Sequence, residues 1–63
     1  MKVDDSIRVA AVNLVRTARV ASYEQIPGVP GLYVAPAPAA TIQTMSAFRE
    51  DGIEYVIGPL RKL

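Results

Sequence analysis

The chain has no cysteine, no histidine and no tryptophan, and only one phenylalanine. Without cysteine no disulfide can form, and without cysteine or histidine a structural zinc ion loses its usual ligands. The same two absences remove the commonest general base and the strongest nucleophile from any active site. A domain of 63 residues buries only about 60% of the surface its unfolded chain exposes, so its stability is marginal. With disulfides and metals set aside, oligomerisation is the reinforcement to expect. An uncrosslinked, cysteine-free chain fits a cytoplasmic setting or a virion assembled in one.

Charge is also missing, and in one place. From Gln25 to Phe48 there is no Asp, Glu, Lys or Arg, and four of the five prolines (Pro27, Pro30, Pro36, Pro38) lie inside that stretch. All seven basic and six acidic residues sit on its flanks. A neutral segment of this length in so small a domain must fold inward or lie against a partner. A net charge of +1 is too small to indicate nucleic acid or an anionic membrane. Asp4, Asp5, Arg8, Arg16 and Arg19 interrupt the amino-terminal region, so this stretch is not expected to act as a signal peptide. Prolines, glycines and polar residues break the neutral stretch, leaving no membrane-spanning run of about 20 apolar residues.

What is present reads as an α+β fold, a small single domain over 1–63. Its expected order is helix–strand–helix–strand, with a Pro-rich extended segment between the helices. Residues 6–21 are expected to form the first helix. Asp4, Asp5 and Ser6 supply capping oxygens and negative charge at its start, and Arg16 and Arg19 complement its end. At about 100° per residue, Ile7, Ala10, Ala11, Leu14, Ala18 and Ala21 form one stripe with Val15 at its border. Val9, Val12 and Val20 stand on the other side among arginines, either as ordinary surface valines or as a second contact face for a partner.

Residues 22–38 form the expected extended segment, with turn dipeptides at Pro27-Gly28 and Pro30-Gly31 and a short strand at 32–34. Pro36 and Pro38 favour polyproline II geometry. A second helix is expected over 39–50, where Thr41, Ile42, Met45 and Phe48 share one side, with Gly52 as its left-handed cap. A strand at 53–57 and a basic tail at 58–63 complete the chain. Gly31–Pro36 and Gly52–Pro59 echo each other as glycine, Tyr-Val strand and proline stop, a pattern open to a parallel crossover unit. The expected core is Leu32, Tyr33, Ile42, Met45, Phe48, Ile53 and Tyr55.

No catalytic motif stands out. Ser6, Ser22 and Ser46 have no evident activating partner in sequence, and the glycines form neither a dinucleotide fingerprint nor a P-loop. Glu50, Asp51 and Glu54 do not match the twelve-residue calcium loop and read as a solvated terminus, so no metal, cofactor or small-molecule substrate is expected. The expected function is that of a non-enzymatic structural or interaction subunit of a homo-oligomer or larger assembly; a minor virion protein of a bacteriophage is its most specific form. The protein partner, another copy or another subunit, is expected to meet Val9, Val12, Arg16, Val20, Ile26, Val29, Tyr33, Pro36 and Pro38, with Ile26–Pro38 as a stiff arm. The alternative is a small regulator that inhibits a host protein or binds nucleic acid. Its 39–50 helix and following strand would resemble the last helix and wing of a winged-helix domain. The acidic Glu50 and Asp51 count against nucleic acid there.

Overall fold

The computed structural model describes residues 3–62; Met1, Lys2 and Leu63, the last residue of the expected tail, lie outside the described residues. One helix, α1 (Asp5–Thr17), precedes four strands: β1 (Glu24–Gln25), β2 (Tyr33–Pro36), β3 (Ser46–Glu50) and β4 (Ile53–Gly58). The strands form one sheet in the order β1-β2-β4-β3, and every neighbouring pair is antiparallel. The α+β class stands. The helix–strand–helix–strand order does not, because α1 is the only helix among the described residues.

Helix α1 starts where its sequence says it should. Asp4 is the N-cap and its Oδ1 accepts from the Ile7 backbone N–H at 3.0 Å and from the Ser6 hydroxyl at 2.8 Å. Its end comes earlier than expected, with Ala18 already extended. The Thr17 hydroxyl donates to the Asn13 carbonyl at 2.9 Å in the final turn. Were the helix to continue, Val20 would stand opposite Ile7 and Ala11 and face water. Unwinding at Ala18 instead turns Val20 into the core, where it is buried.

The segment expected as an extended arm folds back on itself. The Val29 N–H donates to the Ile26 carbonyl, and the Leu32 N–H to the Val29 carbonyl. Pro27-Gly28 and Pro30-Gly31 are thus the central pairs of two successive β-turns. Gly28 and Gly31 take φ of 77° and 88°, the type II geometry that glycine adopts without a steric penalty. The double turn brings Ile26 and Leu32 together, closed by an Ile26 N–H to Leu32 carbonyl bond of 3.0 Å. Tyr33–Pro36 then forms a central strand. Ladder bonds to β4 fall on odd positions, as the Ala37 N–H to Glu54 carbonyl bond shows. The nitrogen of Pro36 therefore faces the other way, beyond the end of β1, and no ladder bond is lost.

The expected 39–50 helix is half of a hairpin. Asp51 and Gly52 have φ of 53° and 80° and connect the closing pair Glu50↔Ile53. Positive φ at both positions marks the type I′ turn for which Asp-Gly is a preferred sequence. Upstream of β3 the pairing continues with Ile42↔Leu60, but shifted by one residue. Ser46 is the register partner of Ile57, and the Met45 N–H also donates to the Ile57 carbonyl at 2.7 Å. Two residues opposite one make a β-bulge. Gly31–Pro36 and Gly52–Pro59 do lie side by side, but antiparallel, with Pro36 opposite Tyr55. No crossover exists because the chain between them contains a strand rather than a helix.

The core fills both faces of the sheet. On one face Ile7 and Ala11 of α1 form one cluster with Val20, Ile26, Leu32, Val34, Tyr55 and Ile57. On the other face Ala35, Ile42 and Val56 are buried, with Tyr33, Ala37, Ala39 and Leu60 packed alongside. Of the expected core, Leu32, Ile42 and Tyr55 are buried and Tyr33 and Phe48 half-buried, whereas Met45 and Ile53 are exposed. The bulge explains Met45, which occupies the doubled position. Ile53 sits at the hairpin tip beside the turn.

Candidate interaction surface

Helix α1 runs alongside β3 in the same direction. Near its start, Arg8 Nη2 donates to the Ala47 carbonyl at 2.9 Å. In its last turn, Arg16 Nε lies 3.0 Å from Glu50 Oε1. Arg8, Val12 and Arg16 are each four residues apart and so fall along one flank of the helix. Val12 is half-buried between the two arginines, and the neighbouring Val9 is 59% exposed.

Below that flank lies the long open edge of the sheet. The closing pair Glu50↔Ile53 sets the alternation, so Ser46, Phe48 and Glu50 bond to β4 while Ala47 and Arg49 point their backbone groups outward. Arg8 takes the Ala47 carbonyl. The Ala47 N–H and both Arg49 backbone groups have no backbone partner among the described residues. The Phe48 side chain faces α1 and stacks on Tyr55 with ring centroids 5.4 Å apart. On the opposite face Arg49 stands beside Glu54, both exposed. Where α1 ends, a shallow groove of about 300 Å³ runs between its last turn and the hairpin tip, lined by Val15, Arg19, Asp51, Ile53 and Tyr55 among others.

The residues expected to meet a partner are scattered. Val9, Val12 and Arg16 share the α1 flank. Val20 and Ile26 are interior residues of the single chain. Val29 packs at the edge of the main core. Tyr33 is half-buried on the second face, its ring meeting Tyr23 edge-on at 5.8 Å. Pro36 is half-buried in β2 and Pro38 is exposed in the turn beyond it. The neutral stretch supplies part of the core through Ile26, Leu32, Val34, Ala35 and Ile42, which are all buried, while Pro27, Pro30, Pro38, Gln43 and Met45 are exposed. The edge residues Ala47 and Arg49, and Arg8 above them, were not among the expected contacts. The Asp51-Gly52 dipeptide, which reads in the sequence as a helix end, is the signal that could have disclosed the hairpin and with it the β3 edge.

Chemically the surface offers backbone hydrogen bonding, two arginines and a few exposed aliphatic groups. No group of three or more His, Cys, Asp or Glu among the described residues is arranged to hold a metal ion. No helix among them is long and apolar enough to cross a membrane. Asp4 is held below its ordinary carboxylate pKa by the Ile7 N–H first and the Ser6 hydroxyl second, which is a capping role.

No protein-family model, curated protein or solved structure matches the chain.

Proposed function

We propose that this chain is a non-enzymatic interaction subunit that works in several copies. The observation that supports it is the open edge of β3 lying beside an α1 flank that carries Val9 and Val12. Sheet edges in soluble proteins are usually short, bulged or covered, because they template association. The other edge of this sheet, β1, has two residues; β3 has five. A backbone edge bordered by exposed aliphatic side chains suits protein contact, and it needs no acid–base or nucleophilic group. The virion setting expected from composition is a narrower form of the same reading.

The nucleic-acid form of the regulator reading loses its main support, because the helix that a winged-helix likeness needs at 39–50 is absent. Arg8 and Arg16 are also engaged within the chain. Light scattering at micromolar concentration tests the proposal. A mass above that of one chain, unchanged by added salt, is the expected result. A single-chain mass together with salt-sensitive retardation of duplex DNA would reverse the preference.

A further inference from the structure

The assembly reading can be taken further, to a specific contact. We propose that two copies of this chain pair through their β3 edges, antiparallel and in a register centred on Phe48, so that the two sheets become one. This rests on the interaction-subunit reading and names its partner and geometry.

The register follows from the boundaries of the strand. The bulge at Met45–Ser46 interrupts the regular ladder on one side and the Asp51-Gly52 turn ends it on the other. Only Ser46–Glu50 is regular, and only a twofold at Phe48 pairs all five of these residues. In that register Ala47 faces Arg49 of the second copy as a hydrogen-bonded pair, so the outward backbone groups meet one another. Ser46 faces Glu50, and no two like charges stand opposite. A register centred on Arg49 would place two guanidinium groups face to face, which is unfavourable. A register centred on Ala47 would bring the two Arg8 side chains to the axis.

Charge complementarity favours the same arrangement. Pairing displaces Arg8 from the Ala47 carbonyl. Ser46, next to Ala47, then has Glu50 of the second copy across from it, giving the released guanidinium a carboxylate to approach. The flanking helices fit as well. Arg8 reaches Ala47 and Arg16 reaches Glu50, so Val12, midway between them, lies above the Phe48 region. The twofold therefore sets the two α1 helices side by side with both Val12 residues near the axis. Apolar contact there would add side-chain burial to the backbone pairing, with the same patch used by both copies as a twofold interface demands.

The absence of cysteine makes the test direct. Ala47→Cys and Arg49→Cys chains, both altered at exposed positions, are mixed in equal amounts and oxidised. The expected product is a mixed disulfide between position 47 of one chain and position 49 of the other. Neither chain alone should crosslink, because like positions in this register lie beyond the roughly 7 Å limit on Cα separation for a disulfide. Val12→Asp should weaken association of the unmodified chain by about tenfold or more, since it places paired carboxylates near the axis, while leaving the circular dichroism spectrum unchanged. A single-chain mass at every concentration overturns both this contact and the assembly reading. An oligomer that yields no mixed disulfide, or only like-position disulfides, overturns this contact and leaves the assembly reading in place.

Discussion

Arg16 Nε lies 3.0 Å from Glu50 Oε1, tying the last turn of the only described helix to the last residue of β3. The Arg16 side chain is 61% exposed and that of Glu50 25%. An ion pair so open to solvent is screened and contributes about 0–1 kcal/mol. The cation also sits where the helix dipole favours it. Glu50→Gln should lower unfolding free energy by less than about 1 kcal/mol, and a double-mutant cycle with Arg16→Gln in urea should give a coupling that vanishes in molar salt. A coupling insensitive to salt would mean the pair is more enclosed than its geometry indicates.

Gly58 and Gly52 should respond to alanine for opposite reasons. A Cβ on Gly58 would run into the Gln43 carbonyl oxygen, a backbone atom with little freedom to move. Gly58→Ala should cost about 3 kcal/mol, the upper end of the overpacking range, or prevent folding. At Gly52 there is open space around the new methyl, but φ of 80° is strained for alanine. Gly52→Ala should cost only about 1–2 kcal/mol. Urea titrations of the two variants give the comparison, and equal costs would contradict the close approach at Gly58.

Ile26 separates an arm from a core. It is fully buried among α1 and sheet residues, so Ile26→Ala should destabilise the isolated chain by about 2–5 kcal/mol. If residues 26–38 were instead a docking arm, the variant would keep its stability and lose only association. Thermal unfolding of dilute protein decides between these outcomes.

Asp4 should make stability pH-dependent at the acid end. Its pKa is lowered in the folded state by the Ile7 N–H and the Ser6 hydroxyl. A group of lowered folded pKa stabilises above its unfolded value, and that contribution disappears as pH falls through the folded one. Asp4→Ala should therefore melt lower than the parent at neutral pH, with the difference shrinking once the medium is more acidic than the ordinary aspartate pKa. A difference independent of pH would show that the carboxylate charge is immaterial to the cap.

The helix start and the two Pro-Gly turns were legible because each depends on neighbouring residues alone. Asp4 and Ser6 act within one turn, and Gly28 and Gly31 each close a four-residue loop. The second helix was misread for a particular reason. Ile42, Met45 and Phe48 recur at helical spacing, yet Ile42 and Phe48 lie on opposite faces of the sheet. The Met45 bulge resets the two-residue alternation between them, and a pattern broken by one unpaired residue imitates a period near 3.6. Asp51-Gly52 reads as a helix cap, but the same dipeptide suits a hairpin turn, and pairing with Ile53–Gly58, which lies beyond any local window, decides for the hairpin. Of the proposed contact surface, only the part on α1 was named from the sequence. The β3 edge became visible once β4 was known to occupy its inner side.

That extra residue opposite Ile57 acts like a gear tooth between two halves of one ribbon. Without Met45, Ser46 would stay opposite Ile57 and Ile42 opposite Leu60, so the ladder would run on unbroken and Ile42 would keep its place with Ala35 and Val56. A residue inserted between Ile42 and Ser46 that the bulge did not absorb would instead carry Ile42 one step along, to the opposite face, and uncover the underside of the sheet.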